Sequence, residues 1–185
     1  MPLLQDNKPW VGLHGIWDDG NDTVIKLLKE MGVLYYTPKY DVNPFSARMK
    51  DTIPFLPYEV LGSTRPNLVC HSAGCLMAQR LMEQGHTFDK VFFFSSAMDR
   101  DFEFNPKGYN KIYNIFYPKD RALFFGAMLL LHPFGNMGRK GYNGKSPNIE
   151  NIEASFSKTE LLNHSNYFLN ENIKYWANFC LTKSQ

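Results

Sequence analysis

Short apolar runs alternate with amphipathic runs along nearly the whole chain, and this alternation constrains the fold more than any other feature. Apolar runs at 10–14, 33–36, 68–70, 90–95 and 112–117 have the length and content of buried strands. The run at 90–95, Lys-Val-Phe-Phe-Phe-Ser, is continuously apolar through its centre, as expected of a strand covered on both faces. Residues 148–156 alternate apolar and polar, which suits a strand nearer a sheet edge. Between the strands, helical spacing predicts helices over 23–31, 73–84, 121–131 and 169–181, with shorter helical candidates at 46–52 and 57–62. Asn21 or Asp22 can cap the first helix, and Gly32 ends it. Strands that alternate with helices pair in parallel through right-handed crossovers. The fold class is therefore α/β: a mostly parallel sheet of about six strands, helices on both faces, and one domain over 1–185.

In such sheets ligands bind beyond the carboxyl ends of the strands. That rule selects Gly15, Ile16 and Trp17, then Ser72, Ala97 and Met98, Asp120, and the segment after Phe156. The most informative of these is Cys70-His71-Ser72-Ala73-Gly74. A strand stops there and a helix starts at once, leaving a serine on the tip of a sharp turn. Such a turn lifts a hydroxyl clear of the sheet and aims the first helical N–H groups at whatever it attacks.

A serine hydroxyl becomes a nucleophile when a base takes its proton; the base is usually histidine, and a carboxylate orients the ring. The chain places one of each at a strand end: Ser72 after the third strand, Asp120 in Tyr-Pro-Lys-Asp-Arg, and His164 in Leu-Leu-Asn-His-Ser. Taken singly, each has a structural reading as a turn residue, a helix cap or a solvated loop residue. Asp99 is a rival acid and His132 a rival base.

The chain resembles the α/β-hydrolase superfamily over nearly its whole length, as a small member without a cap. The order Ser…Asp…His is that family's order. His71-Ser72-Ala73-Gly74 looks like its nucleophile elbow, and Leu13-His14-Gly15-Ile16-Trp17 looks like its His-Gly oxyanion loop. The resemblance implies Ser72, Asp120 and His164 as catalytic residues and the backbone N–H groups of Ile16 and Ala73 as oxyanion hole. Losing one such donor typically costs roughly 100- to 1000-fold in rate. One position departs from the pattern G-x-S-x-G: Cys70 stands where the first glycine is expected. A reading with Cys70 as nucleophile places the thiol in the strand, pointing away from the tip.

Neighbourhood to these loops makes Trp17, Met98, Phe124 and Phe125 the expected substrate-lining residues. The segment 98–111, where many relatives insert helices, is short and polar, so a cap is not expected. An uncapped site admits small-molecule or polymer-attached esters. Gly135, Gly138, Gly141 and Gly144 recur every third residue, with Arg139, Lys140 and Lys145 among them. They read as a flexible loop beside the site, or else a substrate clamp or an anion contact, rather than a nucleotide-binding turn, since no strand leads through them into a helix.

Composition excludes other classes. The 20 basic and 18 acidic residues leave a net charge of +2, with no like-charge run, so nucleic acid is not an expected partner. Scattered histidines without a Cys/His cluster argue against a metal, and no cofactor is expected. Three cysteines argue against a disulfide framework. The first residues lack a signal-peptide pattern, and the longest apolar stretch, 122–131, is too short to span a bilayer. A cytoplasmic serine esterase acting through an acyl-enzyme is the leading reading. A hydrolase-fold protein that binds without turnover is the alternative, as is an amidase or thioesterase on the same three residues.

Overall fold

The computed structural model describes residues 8–15, 23–40, 56, 65–128, 134–156 and 161–185. Ile16, Trp17, His132 and the helical candidates at 46–52 and 57–62 lie outside the described residues. Six strands form one parallel sheet: β1 (Trp10–Leu13), β2 (Tyr35–Tyr36), β3 (Asn67–His71), β4 (Phe88–Phe94), β5 (Tyr109–Phe116) and β6 (Ile149–Glu153). Their order across the sheet is β2-β1-β3-β4-β5-β6. All five pairings are parallel, with Leu13 beside Cys70, His71 beside Phe94, and Phe94 beside Ile115. The helices are α1 (Val24–Met31), α2 (Gly74–Glu83), α3 (Arg121–Met128), α4 (Met137–Lys140) and α5 (Asn170–Ser184), with a 3-10 turn at Asn166–Phe168 before the last.

The period of two along each strand divides the core into two layers. Val11, Leu13, Leu68, Cys70, Val91, Phe93 and Ile112 face α2 and join Met77, Ala78 and Leu81. Trp10, Val69, Phe92, Phe94, Tyr113 and Ile115 face α1 and α5 and join Leu27, Leu28, Ile173 and Trp176. Consecutive phenylalanines of β4 thus enter opposite cores, which explains its uninterrupted apolar run. Phe92, Phe93 and Phe94 are each fully buried. Truncating any one to alanine removes contacts worth about 3–5 kcal/mol.

The architecture is the expected α/β one, a parallel sheet of six strands with helices on both faces. Boundaries differ in detail. β2 spans only two residues, and Leu34 just before it projects into solvent at this edge. β6 is the opposite edge strand, and its half-buried residues reflect that place. α1 ends as expected at Gly32, whose φ of 65° is the left-handed cap that glycine adopts without penalty. The stretch from Ser95 to Gly108, between β4 and β5, contains turns and no helix, so no cap emerges from it.

The glycine-rich segment corrects an expectation. Residues 137–140 are helical, and the glycines are packed rather than free. A Cβ at Gly135 would lie 2.1 Å from the Met98 carbonyl, and one at Gly138 would lie 2.2 Å from the Ser95–Ser96 peptide. Gly138 N–H also donates to the Ser96 carbonyl at 2.7 Å. These glycines let the backbone of one segment lie directly on the turn that ends β4, so the reading as a flexible loop fails here.

Candidate active site

The end of β3 turns into α2 within two residues, and Ser72 occupies the turn at φ 54°. A serine at positive φ is disfavoured by its Cβ, so the surroundings must enforce the conformation. They do so through the backbone. Ser72 N–H donates to the Phe94 carbonyl, and the Ser72 carbonyl accepts from Cys75 and Ala97. Gly74 admits the end of β1: a Cβ there would lie 2.3 Å from the Leu13 oxygen and 2.6 Å from that of His14. Gly15 comes so close to Ser72 that a Cβ on it would sit 3.0 Å from the serine Cβ. The His-Gly loop therefore abuts the serine turn. His14 Nδ1–H donates to the Gly15 carbonyl at 2.9 Å, its ring stacks on Tyr40 at 4.2 Å, and Tyr40 OH donates to the His14 carbonyl.

Ala73 N–H, at the start of α2, donates to no acceptor among the described residues. Ile16, the other expected oxyanion donor, lies outside the described residues. Cys70 is fully buried in the core facing α2. Burial, and after it the neighbouring Cys75, pushes its thiol pKa well up. A thiol so held stays protonated and unreactive.

The turns after β5 and β6 meet across the same face. His164 Nδ1 donates to Asp120 Oδ2 at 2.7 Å. A carboxylate can only accept, so Nδ1 carries a proton and Nε2 is the nitrogen turned away from Asp120. Asp120 is fully buried, and a buried carboxylate must be hydrogen-bonded. Its Oδ1 accepts from Leu123 N–H at 3.0 Å, capping α3, and its Oδ2 lies 2.7 Å from Ser95 Oγ. The rival acid, Asp99, is exposed. Asn163, at φ 60°, anchors the loop before His164 by donating to the Lys119 carbonyl at 3.0 Å.

His71 links the two halves. Its Nε2–H donates to the His164 carbonyl at 3.3 Å, and the two rings lie 4.7 Å apart. Burial pushes the His71 pKa well down, and the adjacent His164 adds to this, so the ring stays neutral. No hydrogen bond joins Ser72 to His164 among the described residues.

Of the expected lining residues, Phe124 is 40% exposed and borders a cleft of about 320 Å³ with residues 118–121, Arg139 and Asn163. The Arg139 guanidinium sits 4.9 Å over its ring. Phe125 is 48% exposed on the same helix. Met98 is only 1% exposed and packs in the core facing α2, its carbonyl taken by Met137 N–H, so it does not line a cleft. Sequence reasoning passed over Ser95 and Tyr167, which adjoin Asp120. No side-chain pattern marks either; the signal available was only that Ser95 ends a strand on the functional face.

No group of three or more His, Cys, Asp or Glu suited to a metal occurs among the described residues. No helix among them is long and apolar enough to cross a membrane.

No family model matches the chain, and no curated protein matches it by sequence. Among solved structures, it is similar to an extracellular α/β-hydrolase from a Paenibacillus species, described as sharing structural and functional homology with tobacco salicylic acid binding protein 2. Identity is 15%, the match covers 95% of this chain and 98% of that one, and the TM-score is 0.48.

Proposed function

We propose that the protein is a serine hydrolase that cleaves carboxylic esters through an acyl-enzyme. The observation that carries this reading is the pair Asp120–His164 at 2.7 Å, beyond the same carboxyl ends of the sheet as a serine held at φ 54°. Ser72 attacks the ester carbonyl while His164 Nε2 takes its proton. Asp120 fixes the ring and stabilises the imidazolium that forms. Ala73 N–H and Ile16 N–H receive the oxyanion. His164 then returns the proton to the leaving alcohol, and water releases the acid by the same steps in reverse. Esters take precedence over amides because an alkoxide leaves with less assistance than an amine. An open site suits small-molecule or polymer-attached esters, with Trp17, Phe124 and Phe125 as apolar contacts. Three cysteines without a disulfide among the described residues fit a reducing, cytoplasmic setting.

The test is hydrolysis of short p-nitrophenyl esters by wild type and Ser72→Ala. Activity in wild type that the variant lacks supports the reading. Equal rates in both overturn it. The second reading, binding without turnover, draws on Cys70 in place of glycine and on the open Ser72–His164 contact; it predicts folded wild type with no turnover of any ester tried.

A further inference from the structure

Four non-glycine residues among those described have positive φ, and three of them, Ser72, Ser95 and Asn163, stand around the site. Two belong to the loops already assigned. Ser95, at φ 45° and fully buried, has no part in that scheme. Strain of this kind persists only where the surroundings over-determine it, and Ser95 is so determined. Its N–H donates to the Ile115 carbonyl at 3.1 Å, and Gly138 lies flat against the Ser95–Ser96 peptide. The strained turn aims Oγ at Asp120 Oδ2, 2.7 Å away, the same oxygen that accepts from His164. Behind it, Tyr167 OH lies 3.2 Å from Ser95 Oγ.

The direction of the bonds follows from proton counting. Asp120 Oδ2 can only accept, so the single Ser95 proton goes to it. Tyr167 is fully buried, and burial is the largest of the effects that push its phenol pKa far up, so it keeps its proton and donates to Ser95. The chain runs Tyr167 to Ser95 to Asp120, and His164 meets it from the other side. We propose that Ser95 is a positioning residue for Asp120, and that Tyr167 acts through Ser95. This inference rests on the assignment of Asp120 and His164 as acid and base.

The physical role is to divide the negative charge of Asp120 between two donors on one oxygen. Without Ser95 the whole charge of Oδ2 falls on His164 Nδ1–H, and the carboxylate can rotate away from its set angle. The titratable groups around this point are few. Tyr117 lies on the acid's own loop, with exposed Lys119 and Arg121. His164 and Tyr167 come from the segment before α5, and His71 and Cys75 come from the serine turn.

Ser95→Ala and Ser95→Gly, each with thermal melts, test the proposal. The glycine variant removes the hydroxyl while relieving the strain. Both should lower kcat by about 10- to 100-fold, the weight of one hydrogen bond to a buried charge, with KM little changed. Both should move the acidic limb of the pH–rate profile to higher pH, because an imidazolium beside an undivided charge is more stable. Tyr167→Phe should do the same to a smaller extent. The double variant Ser95→Ala/Tyr167→Phe should match Ser95→Ala alone, since Tyr167 acts through it. A purely structural serine would leave the limb in place and give additive losses. Wild-type kcat in Ser95→Gly, or an unmoved limb, overturns the proposal. Should both Ser95 variants fail to fold, an unmoved limb in Tyr167→Phe overturns it. Asp120→Asn separates the two levels: lost activity there with none lost at Ser95 sinks this inference alone, whereas full activity there sinks the assignment beneath it.

Discussion

The two halves of the site are held by different physics. On the Ser72 side, position is set by steric fit. Gly74 lets the end of β1 and the start of α2 approach to distances that no Cβ allows, and a Cβ at Gly15 would press on that of Ser72 at 3.0 Å. On the Asp120 side, position is set by polar bonds: His164, Leu123 and Ser95 all point at one buried carboxylate. The steric half has no room for an added atom at Gly74. The polar half responds to any loss of a donor. An atom added at the packed glycines therefore breaks the first half by misfolding, whereas a donor lost from the second costs rate in a folded protein.

The largest effect expected is on rate. Ser72→Ala should reduce ester hydrolysis at least about 1000-fold with an unchanged melting temperature, read by steady-state kinetics beside a thermal melt. Asp120→Asn, which leaves His164 without a carboxylate, should cost about 1000- to 10,000-fold in kcat. On the steric side, Gly74→Ala should lower stability by several kcal/mol, on the order of the largest single-site effects, because the new methyl meets backbone oxygens that cannot swing aside. A urea melt measures it, and a loss under about 1 kcal/mol would break the contrast between the halves. Among the smallest effects is that of Phe124→Ala. It should alter KM by a few-fold and leave stability nearly unchanged, since the ring is 40% exposed.

His71 joins the halves, and pH should expose it. Its folded pKa lies well below the ordinary value of 6.5, so the unfolded chain takes up the proton first as pH falls. The stability linked to this residue is complete above pH 6.5 and declines below it. Between pH 7.5 and 5.5 the wild type should lose about 1 kcal/mol that His71→Phe retains, as measured by urea midpoints at the two pH values. Parallel losses in both proteins would show that His71 is not the responsible group.

The sheet was legible because burial on two faces leaves a plain trace in sequence. Phe92, Phe93 and Phe94 can be consecutive only where successive side chains enter different cores. The turn at Ser72 was legible for a related reason: an apolar run ends and a helix starts with no room for a loop. Three features were not. Met98 follows β4 on the functional face and reads as a lining residue, but its segment folds back beneath Gly135, and the side chain enters the core. The repeated glycines read as freedom, whereas Gly135 and Gly138 serve close approach between segments some 40 residues apart, which no local pattern encodes. Ser95 has no distinguishing neighbour in sequence; its meaning lies in Asp120 and Tyr167, which are 25 and 72 positions away.

In the function proposed above, the steric half presents a reactive serine to the base held by the polar half. A fluorophosphonate probe on the folded protein, followed by intact mass and peptide mapping, tests it most directly. The account predicts one adduct per chain, on Ser72, formed much more slowly in His164→Ala although that variant melts as a folded protein. An unlabelled folded wild type, or an adduct on any other residue, would contradict it.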